Sequence, residues 1–185
     1  MYYRKGSLLV FLFLLSFNTL SQSDIQLRKA YFAGGCFWGV EYFFEKQIGV
    51  ITVTSGYMGG ELKHPTSWIV NATHSDHIEL VEVLYNPQQI SYESLARIFY
   101  QIHDPTQLDQ QGPDIGEQYA STVFYNNDEE KMTNLKLISL LRENGYDVVT
   151  VLRKADTFWR AETAHQDYYA KSGDTPYCHS FIKRF

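Results

Sequence analysis

Gly35-Cys36-Phe37-Trp38-Gly39 is the stretch that organises this sequence, because it joins a short apolar run, 29–33, to a segment with helical periodicity. The large apolar residues that follow favour a helix with one apolar side: Val40, Tyr42, Phe43 and Phe44. A cysteine on the first turn of a helix faces unpaired backbone N–H groups and the positive end of the helix dipole. Both favour the thiolate, so we predict a lowered pKa and a reactive Cys36.

The neighbours of Cys36 predict a site that a small molecule can reach. Gly35 and Gly39 allow a tight turn and leave the thiol approachable, while Phe37 and Trp38 can form the walls of an apolar pocket. The alternative is a small buried cysteine among core aromatic residues, since free cysteine is usually buried and inert.

Further along the chain, β-branched runs alternate with helical patterns. We predict strands at 29–33, 49–57, 77–85, 119–125 and 147–152, and helices after Cys36 and at 91–102 and 128–143. The order strand, helix, strand, strand, helix, strand is that of the split β-α-β arrangement. We therefore expect an α+β fold, a two-layer sandwich with a mixed sheet on a ferredoxin-like core and helices on one face. The tail from Ser172 to Phe185 is expected to be irregular and mobile.

The first 21 residues have the pattern of a secretory signal peptide. Arg4 and Lys5 precede an apolar run at 8–17, and Thr19 and Ser21 are small residues at the positions expected before cleavage. The run is shorter than the roughly 20 apolar residues of a transmembrane helix. We expect export to the periplasm or the medium, with an uncleaved membrane anchor as the alternative.

The remaining residues, 22–185, are enough for one domain with a full core. Removal of residues 1–21 would lower the net charge from −5 to −7. No basic stripe is interleaved with aromatic residues, which argues against a nucleic-acid partner.

Glu79 is the carboxylate best placed for acid–base chemistry. Alternate residues of the predicted strand 77–85 share one face, and Glu79 precedes Val81 and Val83 on that face. A carboxyl group held against apolar surface keeps its proton to higher pH and can donate it near neutrality. Glu82 points to the opposite face. The alternative is a glutamate at the rim of an edge strand.

The polar segment 103–119 is a long loop rich in turn residues, and such loops often carry function. Asp114 and Tyr119 could supply a carboxylate and a hydroxyl to a cleft, or could only stabilise the loop. His77 and Glu79 share a strand face, but no other ligand pair is spaced to match, so we expect no metal site.

The chain has two cysteines, Cys36 and Cys178, near opposite ends of the predicted mature protein. In an exported protein such a pair usually forms one structural disulfide. The sequence has no Cys-x-x-Cys motif, so it does not have the pattern of a thioredoxin-type donor.

Five motifs occur in the order found in A-type peptide methionine sulfoxide reductases, and the chain resembles that family over most of its length. The matching segments are Gly35-Cys36-Phe37-Trp38-Gly39, Gly56-Tyr57-Met58-Gly59-Gly60, His77-Ile78-Glu79, the loop from His103 to Tyr119, and Ala161-Glu162 with His165-Gln166-Asp167-Tyr168.

The resemblance implies a role for each matching residue. Cys36 matches the nucleophile and Glu79 the acid that protonates the sulfoxide oxygen; Tyr119 matches a tyrosine that hydrogen-bonds this oxygen. Asp114 matches a residue that helps to position the site, and Cys178 resembles the resolving cysteine of many members.

Phe37 and Trp38 match the walls of the pocket for the substrate methyl group. The implied reaction reduces methionine-S-sulfoxide, free or in proteins. It needs no cofactor beyond an external dithiol such as a thioredoxin.

The sequence departs from the family pattern at three places. Ser67 follows His64-Pro65-Thr66 where a second tyrosine is usual, and Ala120 stands where an arginine commonly follows the tyrosine. The segment 75–79 lacks the usual glycine before its histidine. We expect these changes to affect rate and substrate preference more than the type of reaction.

Two other functions remain open at the level of sequence. Cys36 could pair with His77 or His103 in a cysteine-nucleophile hydrolase or acyl transferase. Alternatively, the chain could be a non-enzymatic secreted domain stapled by a Cys36–Cys178 disulfide.

Overall fold

Alternating apolar residues build a six-stranded sheet in the computed structural model, which describes residues 25–72 and 75–185. The predicted signal segment 1–21 lies outside the described residues. The strands are β1 (Arg28–Ala33), β2 (Val50–Met58), β3 (Ile78–Tyr85), β4 (Gln110–Gln111), β5 (Asp114–Ile115), β6 (Thr122–Tyr125), β7 (Val151–Lys154) and β8 (Trp159–Arg160). The helices are α1 (Phe37–Glu45), α2 (Ser67–Ala72), α3 (Tyr92–Ile102), α4 (Asp128–Glu143) and α5 (Tyr168–Ser172).

The strand order in the sheet is β7-β6-β1-β3-β2-β8. All neighbours run antiparallel except β6 and β7, which are parallel. The short strands β4 and β5 form a separate antiparallel pair within the long loop. The predicted α+β class with a mixed sheet is therefore confirmed.

The main core lies between the sheet and the helices. Phe32 of β1 stacks on Phe44 of α1 and Phe99 of α3, with ring centroids 5.1 and 5.2 Å apart, and all three side chains are fully buried. Such aromatic pairs contribute about 0.5–1.5 kcal/mol beyond the burial of their area. A smaller cluster with Leu80 and Phe124 covers the other face of the sheet.

Capping side chains fix the starts of the two long helices. The hydroxyl of Ser91 accepts from the N–H of Ser94, and the amide oxygen of Asn127 accepts from the N–H of Glu130. Each satisfies a backbone donor that the first helical turn leaves unpaired. Among the described residues, no helix is both long enough and apolar enough to cross a bilayer.

Two predicted strands begin later than the sequence pattern indicates. Tyr119 ends a 3₁₀ turn, Glu117–Tyr119, and β6 begins only at Thr122. The predicted strand at 147–152 is displaced to Val151–Lys154, because β7 pairs in parallel with β6 from Thr122 and Val151 onward. Both boundaries are set by pairing between strands, and local periodicity carries no information about that pairing.

The C-terminal tail is irregular, as predicted, but it is anchored against α3. The N–H of Ile182 donates to the Gln101 carbonyl over 2.7 Å, and the guanidinium of Arg184 donates to the Tyr100 carbonyl over 2.7 Å. The expectation of a loose tail is therefore wrong. These bonds fix the path that leads back to Cys178.

Candidate active site

Cys36 lies at the N-cap of α1, as the sequence predicts, and its residue is only 7% exposed. Gly35 before it has a φ of 93°, in the left-handed region that favours glycine. A Cβ at Gly35 would collide with the side chain of Gln111. The glycine thus lets the long loop approach the turn that carries the thiol.

Glu79 lies on β3 opposite Tyr57 of β2, on the face that meets α1. The residue is 4% exposed, and its Oε2 accepts a 3.3 Å hydrogen bond from the backbone N–H of Phe37. Burial raises the pKa of Glu79 to about 8, with a further increase from the charges of Asp114 and Glu162 and an opposing effect of the Phe37 hydrogen bond. The carboxyl group is therefore mostly protonated at neutral pH.

The predicted lowering of the Cys36 pKa is wrong. Burial raises the pKa of Cys36 well above its ordinary value, and a negative charge on Glu79, once that group ionises, raises it further. A hydrogen bond from the Trp38 N–H favours the thiolate but is outweighed. The helix N-terminus stabilises the thiolate less than burial destabilises it. One of its backbone N–H groups, that of Phe37, already donates to Glu79 and is not available to the thiolate.

Phe37 and Trp38 form part of an aromatic cluster at the start of α1. The Phe37 ring is 2% exposed and lies 5.7 Å from Tyr57 between centroids. The Trp38 ring stacks on Tyr168 of α5 with centroids 3.7 Å apart and planes 5° apart. His165 contacts both rings, at 5.4 and 5.6 Å. The predicted apolar walls are thus adjacent to the thiol.

Asp114 and Tyr119 come from the long loop to the same region. The charges of Glu79, Asp114 and Cys36 all add to burial in raising the pKa of Tyr119, so its phenol stays protonated. Its hydroxyl donates to the Asn71 side chain over 3.2 Å. The carboxylate of Asp114 accepts from the hydroxyl of Tyr177 at 2.9 and 3.1 Å.

Cys178 is brought beside these residues by the tail, and both cysteines are free thiols rather than a disulfide. Cys178 is 8% exposed. Its thiol is near enough to Cys36 for a thiolate at Cys178 to raise the pKa of Cys36. The carbonyl of Cys178 accepts from Gln111 Nε2 over 3.1 Å. Its Sγ lies 3.0 Å from Nδ1 of His179.

Glu162 and Gln111 are site residues to which sequence reasoning gave no role, although both lie in the quoted motifs. The Glu162 carboxylate accepts from the N–H of Ser67 over 3.0 Å and from the hydroxyl of Tyr57 over 3.3 Å. Ser67, at the departure from the family pattern, therefore belongs to a network that ends near Glu79. Membership of a motif was the only signal in the sequence, since neither residue stands out by periodicity.

The two histidines that a hydrolase could use, His77 and His103, form hydrogen bonds with other groups through both ring nitrogens. The ring of His77 bonds the Leu62 carbonyl at 2.8 Å and the Gly60 N–H at 3.3 Å. The ring of His103 bonds the Phe99 carbonyl at 2.6 Å and the Ser121 hydroxyl at 2.8 Å. Both imidazoles use both nitrogens in these bonds, so neither is free to activate Cys36.

Comparison with known proteins agrees with the geometry. The family model described as peptide methionine sulfoxide reductase matches residues 28–185. Peptide methionine sulfoxide reductase MsrA of Acinetobacter baumannii strain AYE is 43% identical over 156 residues, which cover 84% of this chain and 90% of that protein. The enzyme of the same name from Geobacter metallireducens is 44% identical over 153 residues, covering 80% and 93%.

Among solved structures, the reduced form of Mxr1 from Saccharomyces cerevisiae superposes with a TM-score of 0.78 at 29% identity, covering 89% of this chain and 97% of that one.

Proposed function

This chain belongs to the peptide methionine sulfoxide reductase family, and on that premise we propose that it reduces methionine-S-sulfoxide, free or in proteins, to methionine. Enzymes of this kind act on one sulfur epimer each. The similarity to proteins named MsrA supports the S epimer.

The observation that carries the proposal is a buried carboxyl group at the start of the helix that carries a buried thiol. Glu79 is held against Phe37 N–H, one residue from Cys36, and burial keeps it protonated near neutrality. When a thiol attacks a sulfoxide, negative charge develops on the oxygen, so an acid within reach lowers the barrier. A buried acid next to a buried thiol fits this reaction better than it fits acyl transfer.

In the proposed reaction, the sulfur of Cys36 attacks the substrate sulfur while Glu79 gives its proton to the sulfoxide oxygen. The oxygen passes to Cys36, which becomes a sulfenic acid, and methionine leaves with two more electrons on its sulfur. The thiol proton of Cys36 returns Glu79 to its acid form. Tyr119 would donate to the same oxygen, and Asp114 would position the surrounding loop.

The substrate side chain would lie against Phe37 and Trp38. The Trp38 ring is held flat by its stack on Tyr168, which offers a rigid apolar wall to the methyl group. The indole N–H of Trp38 is buried and has no partner in the part of the chain that the structure describes. It is therefore available to a polar atom of the bound substrate.

The second half of the cycle would use Cys178. Its thiol condenses with the sulfenic acid to give a Cys36–Cys178 disulfide and water, and an external dithiol then reduces the disulfide. No cofactor is needed. We propose a thioredoxin-like reductant and, because residues 1–21 have the pattern of a signal peptide, an exported enzyme whose reductant works outside the cytoplasm.

A single-turnover assay tests the function. Fully reduced protein is mixed with each epimer of N-acetylmethionine sulfoxide, and the reduced product, N-acetylmethionine (called methionine in the assays below), and free thiols are counted. We expect one equivalent of product from the S epimer, none from the R epimer, and the loss of two thiols. Absence of product from both epimers would overturn the proposal. Formation of a thioester from activated acyl substrates would then support the hydrolase instead.

A further inference from the structure

His179 follows Cys178 directly, and its ring is placed by two contacts. One ring nitrogen, Nε2, lies 2.6 Å from the carbonyl of Gly34, and the other, Nδ1, lies 3.0 Å from Sγ of Cys178. A carbonyl oxygen only accepts hydrogen bonds, so Nε2 must carry the proton. In the neutral ring Nδ1 then carries a lone pair, and the Cys178 thiol donates its hydrogen bond to this nitrogen.

The glycines that flank Cys36 make room for this ring. A Cβ at Gly39 would collide with Nδ1 of His179, and a Cβ at Gly35 would come within 3.4 Å of its Cε1. The imidazole therefore packs against the turn that carries Cys36 while its lone pair faces Cys178. It is 6% exposed, so bulk water has little access to the pair.

We infer that His179 is the general base of the resolving step, accepting the proton of the Cys178 thiol as that sulfur attacks the oxidised Cys36. This inference rests on the proposed function, since it concerns the second half of the same cycle. The new S–S bond forms as the S–O bond of the Cys36 sulfenic acid breaks. The Cys178 sulfur is oxidised, the Cys36 sulfur is reduced, and hydroxide leaves with a proton as water.

The electrostatics explain why a base is needed. Burial and the charge of Asp114 raise the pKa of Cys178 to about 12, so almost none of it is thiolate at neutral pH. Burial lowers the pKa of His179 to about 4, so its lone pair is free throughout the neutral range. The negative charge of Asp114 would also stabilise the imidazolium that forms.

Asp114 is the competing base, because its carboxylate also hydrogen-bonds the Cys178 thiol. That carboxylate already accepts two contacts from the Tyr177 hydroxyl, whereas the lone pair of His179 has the thiol as its partner. The buried imidazole of His103 also interacts with His179 through its charge, but its own nitrogens bond the Phe99 carbonyl and the Ser121 hydroxyl.

The test separates the two half-reactions of the reduced enzyme with one equivalent of N-acetylmethionine-S-sulfoxide. Rapid acid quench follows methionine and free thiols in time, and dimedone traps the sulfenic acid. In His179→Gln the side-chain amide can still donate to Gly34 but offers no basic lone pair to Cys178. We expect methionine to form, and the first thiol to disappear with it, at the wild-type rate. Loss of the second thiol, which reports the disulfide and is the thiol loss compared from here on, should slow about 100-fold, the usual range for removing a general base being 10²–10⁴.

The pH profile separates a chemical role from a structural one. We expect thiol loss in the wild type to be independent of pH from 5 to 8, and in His179→Gln to increase about tenfold per pH unit because it needs free thiolate. His103→Gln is the matched control. It removes another buried imidazole that packs against Gly34 but touches no sulfur, so its thiol loss should stay at the wild-type rate and flat with pH.

Three results would overturn the inference. The first is thiol loss at the wild-type rate in His179→Gln. The second is a rate of thiol loss that stays independent of pH in His179→Gln but depends steeply on pH in Asp114→Asn, and the third is equal slowing of methionine formation and thiol loss in His179→Gln. If His179→Gln does not fold, His179→Asn carries the same test, since its amide is also far less basic than imidazole. A wild-type enzyme that forms no methionine would contradict the proposed function itself, which is a different result from all of these.

Discussion

The backbone N–H of Phe37 donates a 3.3 Å hydrogen bond to Oε2 of Glu79, and this contact ties the acid to the first turn of the helix that begins at Cys36. It connects residues 42 positions apart and consumes one of the N–H groups that would otherwise favour a thiolate. The acid and the thiol are therefore coupled. Burial keeps both groups protonated, and ionisation of Glu79 would raise the pKa of Cys36 further.

We predict that the side chain of Glu79 controls the rate of methionine formation. Glu79→Ala should slow the first step about 10³-fold and Glu79→Gln about 10²-fold, within the usual contribution of general acids. The glutamine retains part of the rate because its amide can still donate a hydrogen bond to the sulfoxide oxygen. Rapid-quench assays of single turnover measure both values.

Glu82 is the matched control on the opposite face of β3. It accepts from the Tyr31 hydroxyl and pairs with Lys29, each at 2.9 Å. Glu82→Gln should leave the rate within about twofold of wild type, since surface ion pairs contribute little and it faces away from the thiol. A Glu79→Ala variant as fast as wild type would remove Glu79 from the mechanism.

The raised pKa of Glu79 also predicts how stability depends on pH. Between the ordinary value of 4.5 and about 8, the folded protein keeps a proton that the unfolded chain has released. The free energy of unfolding of the wild type should therefore fall, relative to Glu79→Gln, as pH rises through this window. In its middle the ratio of the two unfolding constants should change about tenfold per pH unit.

Urea unfolding of both proteins at pH 5, 6, 7 and 8 checks this prediction. Glu82→Gln, which leaves the Glu79 carboxyl group in place, should run parallel to the wild type. Parallel curves for Glu79→Gln and wild type would mean that the buried carboxyl group does not hold its proton.

The two cysteines should have separable roles. Cys36→Ser is expected to form no methionine, because it removes the nucleophile. Cys178→Ser should form one equivalent and then stop at the sulfenic acid, which dimedone would trap. Product counts per enzyme, with and without a thioredoxin, measure the difference. Full multiple turnover of Cys178→Ser with thioredoxin alone would contradict the resolving role.

Local pattern in the sequence gave the position of Glu79 correctly, because strand periodicity of two alone places it with Val81 and Val83 on the helix-facing side of β3. It also gave the helix start at Cys36. The direction of the Cys36 pKa was wrong, because it depends on how deeply tertiary packing buries the thiol. Glu162, Gln111 and His179 are placed by hydrogen bonds to groups 67 to 145 residues away along the chain, which no local pattern contains.

The stack of Trp38 on Tyr168 predicts a specific effect on substrate binding. Tyr168→Leu keeps an apolar side chain but removes the flat ring that supports the indole. An aromatic pair contributes about 0.5–1.5 kcal/mol, so the KM should rise by up to about tenfold while kcat changes less. Steady-state kinetics with N-acetylmethionine-S-sulfoxide measure the two constants.

Tyr42→Leu is the control for that variant. Tyr42 is on the same helix and also contacts an α5 tyrosine, Tyr169, but edge to face, and within the described residues its ring makes no contact with the Trp38 ring. Its KM should stay at the wild-type value. Equal increases in both variants would show that the loss of α5 packing, rather than the support of Trp38, is responsible.

Gln111 should govern the second half-reaction without touching the reacting sulfurs. Its Nε2 donates to the Cys178 carbonyl over 3.1 Å and its Oε1 accepts from the Asp104 N–H over 3.0 Å, so one side chain ties the tail to the long loop. Gln111→Met preserves the volume that packs against Gly35 but removes both hydrogen bonds. Leaving buried polar groups unpaired costs about 1–3 kcal/mol each, and we expect thiol loss to slow at least fivefold while methionine forms normally.

Gln110→Met provides the comparison, because Gln110 lies next in the chain and, among the described residues, its side-chain amide donates to the side chain of Gln107 and not to the tail. Both variants are followed by the same quench assay of methionine and thiols. Gln111→Met should also keep the pH-independent thiol loss of the wild type, since the imidazole of His179 is intact and only the placement of Cys178 is poorer. A steep pH dependence in Gln111→Met would mean that Gln111 is needed to position the imidazole of His179. Unchanged thiol loss would mean that Cys178 reaches Cys36 without the hydrogen bond from Gln111.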